Sequence, residues 1–374
     1  MPNPLAVVVS FRLGGTDGVS VEAAKWDYAW RALGFDVRRV AGELDERPQR
    51  GDVVLPWLAI DPPAGHTEPR PDELASAVDR AQLVVVENAC SLPMNLAASR
   101  AVAAVVSRRG GPVVLHHHDL PWQRDQYAGV TDLPPDSRTT LHVVINERSR
   151  AGLLDRGIDA QRVVHVPNCF DADTGAAGER DATRHAMGFT HDELVVLQPT
   201  RAIPRKNVPG ALRFVEELQR RLPQRRIRYW LTGPAEDGYG SALDAVLAGA
   251  PVPVKVGRVD RAVDAYAAAD LVLFPSTWEG FGNPLAEAAI ARRAVVAGPY
   301  PVRDELAALG LWFLSLDDPS AAATWLRAPD PARLDANVAC VRRHLSVASL
   351  PGRLRDALTR LEQPGPHVAV PADA

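Results

Sequence analysis

Two glutamates in the stretch STWEGFGNPLAEAAIARRAVVAG, residues 276–298, stand eight positions apart across two glycines, a proline and the start of an alanine-rich run. Glu279 and Glu287 are carboxylates able to hold hydroxyl groups, and Gly280 and Gly282 let the backbone come close to a ligand. Pro284 suits the first turn of a helix, whose free N–H groups favour an oxyanion or a hydroxyl oxygen. Carboxylates also gather at helix starts because the helix dipole favours them, so this segment alone supports a binding loop and a plain helix start equally.

Three other groups carry possible chemistry. In LQPTRAIPRKNVPGAL, residues 197–212, the Arg201 fork and the Lys206 ammonium lie in a strand-to-helix loop, where they would neutralise a pyrophosphate. A solvated basic loop is the alternative, and Arg205 is expected to face solvent. Of 42 basic residues only Lys25, Lys206 and Lys255 are lysines, which argues that Lys206 has a specific task. In VVLHHHDLPW, His116, His117, His118 and Asp119 end a strand. Adjacent strand residues point to opposite faces, so the three imidazoles cannot all reach one metal ion. One imidazole serving as a hydrogen-bonding group, with Asp119 beside it, and at least one structural histidine are expected instead. Gly14, Gly15 and Gly18 in LGGTDGVSVEAA leave room for a phosphate or sugar, or form a simple tight turn. Their spacing is not G-x-G-x-x-G, so a nicotinamide site is unsupported.

These groups need a frame, and the chain supplies one. Short apolar runs such as LAVVVS, DVVLPWL, AQLVVVENA, PVVLHHHD and LHVVINERS alternate with helical patterns, which predicts a parallel sheet covered on both faces. In VSVEAAKWDYAWRAL, Val21, Ala24, Tyr28 and Ala32 recur at helical spacing. The small, polar stretch 172–191 is predicted to be a linker, after which the alternation restarts with ELVVLQPT, RIRYWLTG, VPVKVG and DLVLFPS. The expected division is a Rossmann-like domain over 1–171, the linker 172–191, a second Rossmann-like domain over 192–345, and a C-terminal helix and tail, 346–374, placed to pack back on the first domain. A ligand is expected in a cleft at the carboxyl ends of the strands. Trp26, Trp30 and Trp122 offer stacking faces for a sugar, with core packing the expected role of Trp26 or Trp30.

Composition narrows the function classes. A net charge of -4 offers no broad basic field for nucleic acid or anionic membrane. Cys90, Cys169 and Cys340 are far apart, without disulfide or zinc spacing, as expected in a reducing compartment. The N-terminal MPNPLAVVVSFRLGG has no basic leader region and predicts a buried strand, and no window reaches transmembrane length. A cytoplasmic location follows as an expectation.

Together the motifs resemble the retaining nucleotide-sugar glycosyltransferases of the GT-B fold, family 4. PSTWEGFGNPLAEA resembles that family's P-S-x-x-E-G-F-G-x-P-x-x-E-A segment, and TRAIPRKN resembles its G-R-L-x-x-x-K-G loop. The resemblance covers nearly the whole chain and implies two Rossmann-like domains with parallel sheets facing a central cleft. By position it assigns Arg201 and Lys206 to the donor diphosphate, Glu287 to the ribose hydroxyls, and Gly257 to Val259 to the base. Glu279, Gly280, Phe281, Gly282 and Asn283 would hold the transferred sugar, His118 would touch it near the reacting carbon, and Gly18 would lie beside the phosphate or acceptor. Asp119, Trp122, Gln123 and Arg124 would form an acceptor rim. The implied partners are a UDP- or GDP-linked hexose donor and a soluble acceptor of unknown identity, with no cofactor or metal; homo-oligomerisation is left open. The chain departs from the family at Arg292, Arg293 and Ala294 and in GPYPVRDE, residues 298–305, around the donor pocket. A catalytically altered sugar-nucleotide-binding protein and a GT-B epimerase are the alternatives, the second opposed by the E-x7-E pattern.

Overall fold

A computed structural model describes residues 3–172, 178–236 and 238–362. The chain divides into two compact units, Met1–Cys169 with Val347–Ala374, and Phe170–Ser346.

In the first unit, strands β1 (Leu5–Leu13), β2 (Asp36–Leu44), β3 (Val53–Val54), β4 (Leu83–Glu87), β5 (Val113–His117), β6 (Thr140–Val144) and β7 (Val163–His165) form one sheet. The order is β3-β2-β1-β4-β5-β6-β7, and every pairing is parallel. Helices α1 (Gly18–Ala32), α2 (Pro71–Val78), α3 (Leu96–Arg108) and α4 (Glu147–Leu154) connect the strands. The period-2 alternation of the strands sorts their side chains between two cores. Val7, Val9, Val84, Val86, Val113 and Leu115 pack on the side of α2 and α3. Ala6, Val8, Leu83, Val85 and Val114 pack with Trp26 and Trp30 on the side of α1.

Helix α1 turns its tryptophan face inward. Ala23, Trp26, Ala29 and Trp30 are buried, whereas the large apolar Val21 and Tyr28 are exposed. Both tryptophans are core, and the larger apolar area of the indoles decides the orientation. The helix starts at Asp17, whose carboxylate accepts from the N–H groups of Val19 and Ser20 at 3.1 and 3.2 Å.

The second unit holds β8 (Glu193–Gln198), β9 (Arg226–Leu231), β10 (Val254–Val256), β11 (Leu271–Phe274), β12 (Val295–Ala297) and β13 (Leu314–Ser315), also all parallel, in the order β10-β9-β8-β11-β12-β13. Its helices are α5 (Arg180–Met187), α6 (Val208–Arg221), α7 (Gly240–Ala248), α8 (Ala262–Ala268), α9 (Asn283–Ile290), α10 (Arg303–Ala308), α11 (Pro319–Arg327) and α12 (Pro331–His344). The last helix, α13 (Leu350–Glu362), belongs to the first unit, where Leu350, Leu354 and Ala357 join the Trp26–Trp30 core.

Helix α5 corrects the linker expectation for 172–191, of which residues 173–177 lie outside the described residues, as does the end of the tail from 363 onward. Its anchors are polar, which is why an apolar pattern was missing. The buried Arg184 donates to the carbonyls of Ala268, Thr190 and Glu193 at 3.0, 2.8 and 2.7 Å and pairs with Asp270 at 3.2 Å. Arg180 reaches the carbonyls of Ala267 and Ala269 and pairs with Asp270 at 2.5 Å. Because Arg184→Ala would strand buried acceptors, we expect it to lower the unfolding free energy of the second unit by about 2–4 kcal/mol in urea titration. An unchanged midpoint would show that α5 is a passive linker.

Candidate active site

The second-unit sheet reverses its winding direction between β8 and β11, from which neighbours extend to opposite sides. Such a switch point leaves a crevice at the carboxyl ends of the strands. The loop after β8 carries Lys206 and the loop after β11 carries Glu279, so topology brings together the two strongest basic and acidic candidates.

Contacts latch the two loops together. Asn207 donates to the carbonyl of Pro275 at 3.1 Å, and the N–H of Thr277 donates to the carbonyl of Arg205 at 2.9 Å. The fully buried Gln198 at the end of β8 donates to the carbonyl of Lys206 at 3.0 Å and accepts from the Tyr229 hydroxyl at 2.7 Å. Within this frame Lys206 Nζ lies 2.5 Å from Glu279 Oε1, and Arg205 Nη1 lies 3.1 Å from Oε2. Arg205 therefore does not simply face solvent: a carboxylate on the neighbouring loop draws it in, and it also donates to the carbonyl of Trp278 at 3.0 Å.

Electrostatics follows from burial. Desolvation pushes the Lys206 ammonium down to about 8, with Arg205 and Arg201 adding to the shift and Glu279 opposing it. Burial works against ionisation of Glu279, but Lys206 and Arg205 hold its carboxyl below the ordinary value. Two nearby cations and one carboxylate leave a surplus of positive charge suited to an anion.

Arg201 sits apart from this pair, half exposed and bonded to Glu236 at 2.5 Å. Glu236 follows β9 in sequence, and nothing in its local pattern marked it. Glu287 lies on α9 and accepts from the buried hydroxyl of Tyr266 at 2.5 Å. Phe281 is largely buried and stacks on Phe170 at 6.2 Å between centroids, a packing role. Asn283 opens α9. Gly282 has φ +107°, and a Cβ there would lie 2.1 Å from the hydroxyl oxygen of Tyr300. Tyr300 comes from the divergent GPYPVRDE loop, and its buried hydroxyl has no hydrogen-bond partner among the described residues. Arg292, another divergence, adopts φ +54°, where glycine is favoured, and pairs with Asp335. Arg293 donates to the carbonyls of Tyr266 and Ala267 at 3.0 and 2.8 Å. Gly257, assigned to the base, accepts from Trp230 Nε1 through its carbonyl at 2.7 Å.

In the first unit, alternation separates the histidines. His117 faces Ser91 and His142, with contacts of 2.5 Å to the Ser91 hydroxyl and 3.0 Å to His142 Nδ1; burial pushes it well below the ordinary imidazole value. It is the structural member. His116 and His118 share the other face, where Glu87 at the end of β4 meets both, Oε2 lying 2.7 Å from His116 Nδ1 and 3.1 Å from His118 Nε2. His116 also stacks on Trp26 at 3.8 Å. Ligand atoms of Glu87, His116 and His118 lie within 4.8 Å of one another, a spacing that could hold a metal ion. Alternation along β5 does not reveal this set, because its third member, Glu87, comes from the adjacent strand. A cation would have to replace two hydrogen bonds already made.

The remaining candidates are more dispersed. Gly18 is the first residue of α1, with open space around a Cβ position. Asp119 pairs with Arg124 at 2.7 Å, and Gln123 turns inward to Ser149 at 2.9 Å. Trp122 has the Arg156 guanidinium 3.4 Å over its ring and lines a cavity of about 460 Å³ with Leu133, Pro134, Asp136 and Leu153. Two of the four rim residues, Trp122 and Gln123, are thus engaged by other parts of the same unit, and the other two pair with each other.

Comparison with known proteins adds to this geometry. Residues 194–326, the segment holding Arg201, Lys206, Glu279 and Glu287, match the family model described as glycosyl transferases group 1. The mannosylglucosylglycerate synthase of Petrotoga mobilis is 26% identical over 377 residues, covering 83% of this chain and 86% of that protein. The D-inositol 3-phosphate glycosyltransferase of Nocardia farcinica is 32% identical over 149 residues, 38% of this chain and 33% of its own. Among solved structures, Anabaena HepE in complex with UDP-glucose superposes with a TM-score of 0.73 at 17% identity, covering 95% of this chain and 99% of that one. No described helix is long and apolar enough to cross a membrane.

Proposed function

We propose that the chain is a glycosyltransferase, and that it transfers a hexose-type sugar from a UDP- or GDP-sugar to a hydroxyl of a small hydrophilic acceptor, with retention of configuration and without a divalent metal. The observation that carries this reading is the buried Lys206–Glu279 pair at the switch point of the second unit. The names of the two relatives, a mannosylglucosylglycerate synthase and a D-inositol 3-phosphate glycosyltransferase, support an acceptor that is small, polyhydroxylated and anionic.

In this reading the bond from the anomeric carbon to the β-phosphate oxygen breaks and a bond from the acceptor oxygen to that carbon forms. The acceptor proton passes to the departing diphosphate. Negative charge grows on the leaving group, and Lys206, Arg205 and Arg201 supply the preorganised positive charge in place of a metal. Glu279 positions the sugar and Glu287 the ribose, while His118 serves as a hydrogen-bonding group toward the sugar.

Release of nucleoside diphosphate from UDP-glucose, UDP-galactose, GDP-glucose and GDP-mannose, with anionic polyols as acceptors, tests the reading. Retained anomeric configuration by NMR and full activity in EDTA are the expected details. Donor binding without release would favour a sugar-nucleotide-binding protein that has lost turnover, a reading motivated by Arg292 and Tyr300. The pH profile is a further expected outcome. Lys206 is charged below about 8 and neutral above it, so kcat/KM for the donor should fall as pH rises through that value. The bound diphosphate favours the ammonium, so the corresponding limb in kcat should lie at higher pH. A flat kcat/KM between pH 7 and 9.5 would remove Lys206 from donor recognition.

A further inference from the structure

Glu87 is wholly buried at the end of β4, opposite His116 in the strand register, yet the proposed chemistry gives it no direct task. Burial alone would raise its carboxyl, but the two imidazoles that meet it hold it below the ordinary value. An ionised carboxylate only accepts hydrogen bonds, so both nitrogens facing it carry protons: Nδ1 of His116 at 2.7 Å and Nε2 of His118 at 3.1 Å. The next residue, Asn88, secures the same histidine through the backbone. It adopts the left-handed conformation at φ +60°, donates its N–H to the carbonyl of His116 at 2.9 Å, and accepts from the N–H of His118 at 3.2 Å. Asn88 thereby holds the main chain of His118 and Glu87 holds its ring. His116, pinned between Glu87 and the face of Trp26, walls the carboxylate from the other side.

We propose that Glu87 is a positioning residue for His118, fixing it as the Nε2–H tautomer so that Nδ1 is the nitrogen able to accept a hydrogen bond from a sugar hydroxyl. The inference rests on the reading of His118 as a sugar-contacting group. A carboxylate that merely filled space would leave its own Oε1 and the Nε2 of His116 buried and without a partner among the described residues for no return, whereas an apolar core of similar volume would cost less. Orientation of an imidazole by a buried carboxylate sets which ring nitrogen presents a lone pair, and a misaligned group loses rate before it loses binding.

The test combines a spectroscopic and a kinetic readout on the full chain. In wild type, imidazole 15N shifts should show His118 with a protonated Nε2 and an unprotonated Nδ1. Glu87→Leu should mix the tautomers and lower kcat about 10- to 100-fold, with UDP affinity within threefold. Glu87→Gln, whose amide oxygen can replace Oε2, should restore the tautomer and most of the rate. Rates are taken with the faster of UDP-glucose and GDP-mannose, and His118→Ala serves as the control. A slow His118→Ala beside a wild-type Glu87→Leu would overturn the positioning role and leave the site reading standing. Wild-type rates in both would overturn the site reading itself. Should Glu87→Leu fail to fold or neither donor turn over, an Nδ1–H tautomer in the wild-type spectrum overturns the proposal and an Nε2–H tautomer that Glu87→Gln preserves supports it.

Discussion

Lys206→Ala is expected to lower kcat/KM for the donor at least a hundredfold, about 2.7 kcal/mol in the transition state. The ammonium faces Glu279 at 2.5 Å in a buried place where water cannot substitute for it. Its loss removes the charge closest to the carboxylate and leaves Arg205, at 3.1 Å, as the remaining cation bonded to Glu279 among the described residues. Lys206→Arg keeps the charge but must fit a planar fork into the space of a slim amine, so it should recover only part of the rate. Initial rates of nucleoside diphosphate release decide the matter. Kinetics within threefold of wild type in Lys206→Ala would remove this residue from the machinery and make the pair a structural ion bridge.

Gly282→Ala should unfold the second unit about 2–4 kcal/mol more easily and lower turnover more than tenfold. Two costs combine: a side chain at φ +107°, and a methyl placed 2.1 Å from Tyr300 Oη and 2.9 Å from its Cζ. Relaxation would have to move the loop that carries Glu279. Tyr300→Phe alone should raise stability by about 1 kcal/mol, because it removes a buried hydroxyl that has no partner among the described residues. The double variant should recover part of the loss, with a coupling on the order of 1 kcal/mol in a urea-denaturation cycle. Strict additivity would show that the contact is not what makes glycine necessary there.

The architecture was legible because it rests on one-dimensional patterns. Runs such as LAVVVS and DLVLFPS are apolar on both faces, which parallel sheets between helices require, and the structure has two parallel-sheet α/β units. Loops that follow strands in such sheets gather at one edge, so Lys206 and Glu279 could be brought together from sequence although 73 positions separate them. What escaped was pairing between distant polar residues. Glu87 ends an apolar strand and Glu236 follows another, and their roles exist only through the registers that bring β4 beside β5 and β9 beside β8. Helix α5 escaped for a related reason, since arginine hydrogen bonds to carbonyls, not an apolar stripe, secure it. On α1, Val21 and Tyr28 match a helical period as well as the tryptophans do, and the size of the buried groups decides which face turns inward.

The place of α13 bears on how the protein is made. This helix fills the first unit's core beside Trp26 and Trp30, yet it is the last described element in the chain. From Cys169, where the first stretch of that unit ends, to Glu362 there are 193 further residues (362 − 169) to be translated. At about 5–20 residues per second, the ribosome needs roughly 10–40 s to deliver them. During that interval the nascent first unit carries an uncovered apolar trough where Leu350, Leu354 and Ala357 will later lie, while the second unit can already close. Chains that stop short of α13 should therefore be prime substrates for chaperones and proteases, even though both parallel sheets are already fully encoded.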